Sequence, residues 1–174
     1  TLFRSASGSG NGTVTYSVTA NPTITARNAV MTIAGQSFDV TQAGQTCTYM
    51  LTPAGASVPA TASTGSVAVA ALGGCAWTAT SADSWVTITS GASGTGNGTA
   101  GYSVAANAAA SPRTATLTIG GQPFTITQAA APCTYLATPT THSIPASGGP
   151  GTVTLSTQAG CAWNATTNAP WITI

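Results

Sequence analysis

An internal repeat with an offset of 86 residues constrains this chain more than any other feature. GNGTVTYSVTAN at 10–21 returns as GNGTAGYSVAAN at 96–107, and IAGQSFDVTQAG at 33–44 returns as IGGQPFTITQAA at 119–130. CTYMLTP at 47–53 returns as CTYLATP at 133–139, and Cys75, Trp77 and Trp85 return as Cys161, Trp163 and Trp171. A period held along a whole chain points to one structural unit repeated in tandem. Punctuation sets the phase, because VTQAGQTC at 40–47 and ITQAAAPC at 126–133 read as short linkers between sheets. The expected organisation is a complete repeat at 46–131. It is preceded by the C-terminal part of a repeat at 1–45 and followed by the N-terminal part of another at 132–174. Ile174 matches Ile88, which matches Leu2, so the register expects WITI at 171–174 to run on into the chain's own beginning. The continuing chain or a neighbouring copy would complete each part.

Within a repeat every periodic segment is strand-like. TVTYSVT at 13–19, SVAVAA at 66–71, WVTITS at 85–90, TATLTI at 114–119 and PFTITQ at 123–128 alternate or are rich in β-branched residues. Gly120-Gly121 is a two-residue hairpin signal, with Ala34-Gly35 as its weaker copy. Pro53 and Pro59, repeated as Pro139 and Pro145, predict a broken first edge strand. Short, closely spaced strands without a helical period predict an all-β fold of about seven strands per repeat in two packed sheets.

Composition narrows the function classes. Only 3% of residues are charged, namely Arg4, Arg27, Arg113, Asp39 and Asp83, while 43% are hydrophobic. Three arginines cannot neutralise a useful run of phosphates, so nucleic acid is not an expected partner. No apolar run reaches the 18 or so residues that a membrane-spanning helix needs. Few charges on strand-rich sequence leave sheet edges unguarded, which favours assembly.

Catalysis finds no consistent basis, and the chain reads as non-enzymatic. Asp39 and Asp83 have Thr125 and Ala169 as copies, and the lone His142 has Ala56, so no acid–base pair or triad repeats. The loops SASGSGNG at 5–12 and GASGTGNG at 91–98 lack the lysine and following helix of a phosphate loop. They read as long flexible turns, with Asn-Gly supplying positive φ. Calcium would find few acidic ligands there, and no cofactor is expected. Asn11, Asn97 and Asn164 begin N-x-T sequons that permit glycosylation.

Each repeat carries two cysteines 28 apart, Cys47 with Cys75 and Cys133 with Cys161. The even count and spacing suit one disulfide per repeat and an oxidising compartment, with reduced buried thiols as the alternative. Two thiols without nearby histidine or carboxylate do not close a metal site. Cys75 and Trp77 share a strand face, as do Cys161 and Trp163, so these tryptophans are expected in the core. Trp85 and Trp171 alternate with the inward positions of W-V/I-T-I. They either cover the end of the fold or present a ring to a sugar or to a neighbouring repeat.

The combined pattern resembles the BACON domain. It comprises C-T-Y-x-x-x-P, S-V/I-P-A, C-A-W, W-V/I-T-I, G-x-G-N-G, Y-S-V-A-A-N, R-T-A-T-L-T-I-G-G-Q and T-I-T-Q, and it covers 47–130 with partial copies on both sides. The resemblance implies an immunoglobulin-like β-sandwich of bacterial extracellular or cell-surface proteins, often in tandem or attached to enzymes. Its family name points to carbohydrate, but no sugar-contacting residue carries over to this sequence.

The leading expectation is a secreted structural protein, a stalk, fibre or filament whose repeats join end to end. Here 133–174 of one copy would complete a sandwich with 1–45 of the next, by strand complementation. The second expectation is a glycan- or mucin-binding adhesion module using Trp85, Trp171, Tyr16 or Tyr102 as its aromatic platform. A third is a spacer for an enzyme outside this segment.

Overall fold

Alternation of β-branched and polar residues makes each strand one-faced, and the structure sorts those faces. The computed structural model describes residues 7–174 and holds strands without helices among them. Leu2, Phe3 and Arg4, where the register expects WITI to continue, lie outside the described residues. The chain forms two compact units, Thr1–Cys47 and Thr48–Ile174.

In the first unit, β1 (Arg27–Ile33) and β2 (Gln36–Gln42) form an antiparallel hairpin. The turn Ala34–Gly35 has φ of 49° and 82°, the doubly positive geometry of a tight hairpin turn, which alanine adopts less readily than glycine. TVTYSVT at 13–19, expected as a strand, forms no ladder. Its copy is a central strand of the second unit with a partner on each side, and among the described residues 13–19 pairs with none.

The second unit contains the complete repeat, with nine strands rather than about seven. They are β3 (Tyr49–Thr52), β4 (Gly55–Val58), β5 (Ser63–Ala71), β6 (Ala76–Ser81), β7 (Val86–Ser90), β8 (Ser93–Thr95), β9 (Gly98–Val104), β10 (Arg113–Ile119) and β11 (Gln122–Gln128). One sheet runs β4-β11-β10-β6-β8 and the other β3-β5-β9-β7. The higher number has two causes. The first edge strand breaks after Thr52, so that β3 joins one sheet and β4, parallel to β11, joins the other. The glycine-rich loop at 91–98 also supplies β8 to the edge of β6 and is not the free turn its composition suggested. Its positive φ values fall on Gly91 and Gly96, not on Asn97-Gly98. Gly94 and Gly98 instead lie against the Trp77 ring, where an added Cβ would sit 2.4 Å from the indole.

Inward side chains of both sheets meet in one core. Val67, Val69, Ala100, Tyr102 and Val104 come from one sheet, and Trp77, Ala79, Leu117, Ile119, Phe124 and Ile126 from the other. Two further strands, β12 (Tyr135–Thr138) and β13 (Thr154–Thr157), pair in the register of β3 with β5 shifted by the repeat offset. Cys133–Cys161 is a disulfide with an S–S distance of 2.11 Å. Cys47 and Cys75 are disulfide-bonded as well, so the reduced-thiol alternative falls away.

Burial raises the Tyr102 phenol above the ordinary tyrosine value. The unfolded chain therefore ionises first. Stability from the neutral phenol is complete below the unfolded value, near 10, and is lost as pH climbs through the folded value. Urea titrations at rising alkaline pH are expected to show that loss, and Tyr102→Phe to flatten it. An identical alkaline slope in the variant would contradict this.

Candidate interaction surface

The same sequence positions are buried in the complete repeat and open on either side of it. Tyr102 is 4% exposed and Phe124 0%, with ring centroids 5.8 Å apart. Their copies Tyr16 and Phe38 keep the 5.8 Å edge contact but are 51% and 44% exposed. Val14 and Val18 lie open where Ala100 and Val104 are buried. Along the last segment, Trp163 is 62% exposed where Trp77 is 4%, and Val153 and Ile172 are open where Val67 and Val86 are buried. Residues 7–47 thus repeat the part built by β8–β11, and 133–174 the part built by β3–β7. Each presents to solvent side chains whose copies are buried in the core of the second unit.

A polar network beside the core repeats just as closely. In the complete unit, Asn107 Nδ2 donates to Ser111 O and Ala129 O at 2.8 and 3.0 Å. Arg113 Nε donates to Gln128 Oε1 at 2.8 Å, and its Nη2 reaches Ala105 O and Ala106 O at 2.8 and 3.0 Å. Gln128, fully buried, donates from Nε2 to Ala60 O and Ala105 O. The first unit reproduces this with Asn21 on Thr25 O and Ala43 O, and with Arg27 on Gln42 Oε1, Thr19 O and Ala20 O. Gln42 Nε2 bonds Thr19 O, as Gln128 bonds Ala105 O. Sequence reasoning noted these arginines only as charges. The signal was available, since Arg, Gln and Asn all recur at the repeat offset in a chain that otherwise carries almost no charge.

The four aromatic candidates separate accordingly. Tyr102 is withdrawn as a sugar platform in the complete repeat, because its ring is in the core with its hydroxyl over Gly65. Trp85 is half-buried at the start of β7, packs on the core and carries the Arg113 guanidinium 4.1 Å from its ring centroid. Tyr16 and Trp171 are open, Trp171 at 82%. Trp85 and Tyr102 belong to one packed unit, while Tyr16 and Trp171 lie on the two open halves.

Asp39 stands on β2 opposite Val30, Asp83 lies in the turn before β7, and His142 abuts Gly151. Among the described residues, no three His, Cys, Asp or Glu side chains come together as a metal site. Among the same residues, no helix is long and apolar enough to cross a membrane. An open groove of about 500 Å³ runs over Tyr49, Trp77, Gly94 and Gly120. Its floor is mostly backbone, and Tyr49 Oη donates to Ala76 O there.

A family profile, BACON, described as "Putative binding domain, N-terminal", matches residues 3–43 and 76–129. No curated protein matches the chain. Among solved structures, the Bacteroides ovatus GH5 xyloglucanase in complex with a XXXG heptasaccharide is similar at 19% identity and a TM-score of 0.43. That similarity covers 48% of this chain and 19% of the xyloglucanase chain.

Proposed function

The chain belongs to the BACON family, and from that premise we propose that it is a non-enzymatic structural protein. Its immunoglobulin-like β-sandwich repeats join end to end into an extracellular stalk or filament. The observation that carries this reading is the complementary exposure of two half-cores on either side of a finished one. Exposed apolar faces of this extent in a chain with 3% charge favour burial against a partner. The second unit supplies the template for that partner, because Val14, Val18, Tyr16, Phe38, Val153, Trp163 and Ile172 each have a buried copy there. Two disulfides suit an oxidising compartment outside the cytosol.

Sedimentation velocity over a concentration series, followed by negative-stain microscopy, tests the reading. The expected result is concentration-dependent growth into narrow, unbranched particles. A single monomeric species at every concentration, or shapeless aggregates, would sink it. A second reading, a glycan-binding module, draws on the family's description as a binding domain and on the open rings of Trp163 and Trp171. It requires those rings to stay accessible in the functional state, so glycan-array binding that persists at concentrations where the chain would associate favours it.

A further inference from the structure

We propose that the Cys47–Cys75 bond carries tension along the chain past β3, β4 and β5 and delivers it to β6, where Trp77 anchors it. This rests on the end-to-end reading above for the source of the pull, and adds the path the pull takes through one finished repeat.

All four cysteines are bonded and Cys133 with Cys161 is one pair, which leaves Cys47 with Cys75. Cys47 stands two residues before β3, and Cys75 immediately precedes β6. A pull arriving through 43–46 therefore reaches Cys75 across the disulfide. Residues 48–74, with β3, β4 and β5, sit in a closed loop off the line of pull. The load leaves through β11, which ends at Gln128 before the chain continues towards Cys133. β10 is antiparallel to both β6 and β11, so those two strands point the same way in one sheet. Ser81, the last residue of β6, stands level with Leu117 and Phe124, and Gln128 with Arg113. The start of β6 and the end of β11 thus lie at opposite ends of the sheet. Pulled apart there, the strands slide along their axes. Ladder hydrogen bonds lie across the strands, so sliding strains the bonds of a pair together, whereas peeling breaks them one by one.

Both the entry and the exit are reinforced. At the entry, Gly96 N donates to Cys75 O at 2.9 Å, and the buried Trp77 donates from Nε1 to Gly96 O at 2.9 Å. Gly94 and Gly98 leave room for the indole, so ring and backbone together tie the start of β6 to β8. At the exit, Ala129 N donates to Val58 O at 3.0 Å and extends the parallel β4–β11 ladder. Ala129 O accepts from Asn107 Nδ2, and Ala131 N bonds Ala109 O at 2.8 Å. Cys133 follows two residues later and is bonded to Cys161, which heads the second C-A-W. The place where tension enters is therefore spelled the same way in successive repeats. Without the Cys47–Cys75 bond the pull falls first on β3, an edge strand with β5 as its one ladder partner.

Single-molecule force spectroscopy on the full chain, held at its two termini, compares the wild type with Cys47→Ala/Cys75→Ala; Cys133–Cys161 stays intact in both. The main unfolding step is expected to lengthen in the variant by about 95 Å, the extended span of the 28 residues that the bond closes off. Its rupture force is expected to fall, because β3 now yields first. Cys47 is exposed, so where the variant fails to fold, a reductant added to the folded wild type opens the bond and should give the same fall in force. Trp77→Phe keeps a ring in the core and removes the N–H that bonds Gly96 O. It should lower the rupture force of the chain with the bond closed and leave that of Cys47→Ala/Cys75→Ala unchanged. An equal drop in both backgrounds would mean that Trp77 acts through stability alone and is no anchor. Unchanged step length and rupture force on opening the bond would overturn the bypass. A single molecule is pulled, so that outcome leaves end-to-end joining intact, and failure to associate in sedimentation removes the joining without touching the path of the pull.

Discussion

Phe124→Ala is expected to cost the complete repeat about 3–5 kcal/mol, while the same change at its copy, Phe38→Ala, leaves that repeat's unfolding unchanged. Phe124 is fully buried between the sheets, in contact with Tyr102, and its truncation removes a whole ring from the core and opens a cavity there. Such a loss is a large fraction of the stability of a small domain. Phe38 occupies the equivalent place on β2 with 44% of its surface open, so little burial is lost when it is truncated. Its cost should appear in association, where the ring would enter a neighbour's half-core. Urea unfolding followed by tryptophan emission measures the first effect and sedimentation the second. Equal destabilisation by both substitutions would mean that the first unit is already packed and would contradict the complementary-halves reading.

Gln128→Ala is expected to be nearly as damaging, at about 3 kcal/mol, although it removes no apolar contact of note. The side chain is fully buried and makes three hydrogen bonds, one from the Arg113 guanidinium and two to the carbonyls of Ala60 and Ala105. Truncation strands a charged donor and two acceptors beside the core, and each unpaired group carries its own desolvation cost. Those carbonyls belong to chain segments leading into different sheets, so the amide also ties the sheets together at this end. Differential scanning calorimetry of Gln128→Ala and Arg113→Ala should give similar losses, with the double variant little worse than either. Independent, additive losses would show that the network is not one unit.

The fold was largely legible because its strands are short, one-faced and repeated. β5, β7, β10 and β11 fall where alternation places them, and the Gly120-Gly121 turn has the doubly positive φ expected of a two-residue hairpin. The errors share a cause, the dependence of a strand on its neighbours. TVTYSVT at 13–19 carries the same pattern as β9, but β9 is laddered between β5 and β7 and the described residues give 13–19 no such partners. Propensity also hid β8, where Ser93-Gly94-Thr95 pairs with β6 because glycine lets the backbone pass close to Trp77. Among the aromatic candidates, Tyr102 could have been removed from sequence, since Ala100, Tyr102 and Val104 stand on one face. The Arg27–Gln42 cradle shows in the sequence only as Arg and Gln recurring at the repeat offset, and that recurrence does not say that the amide holds the guanidinium.

Arg27 and Arg113 are each held by a side-chain amide and by backbone carbonyls, partners that carry no charge of their own. A carboxylate in the place of Gln128 would have made the same corner sensitive to acid. As built, the corner holds no ion pair, and its short hydrogen bonds leave little for dissolved salt to screen. An assembly of the kind proposed would gain from such corners, because hydrogen bonds between an arginine and uncharged partners offer dissolved ions no pair to separate.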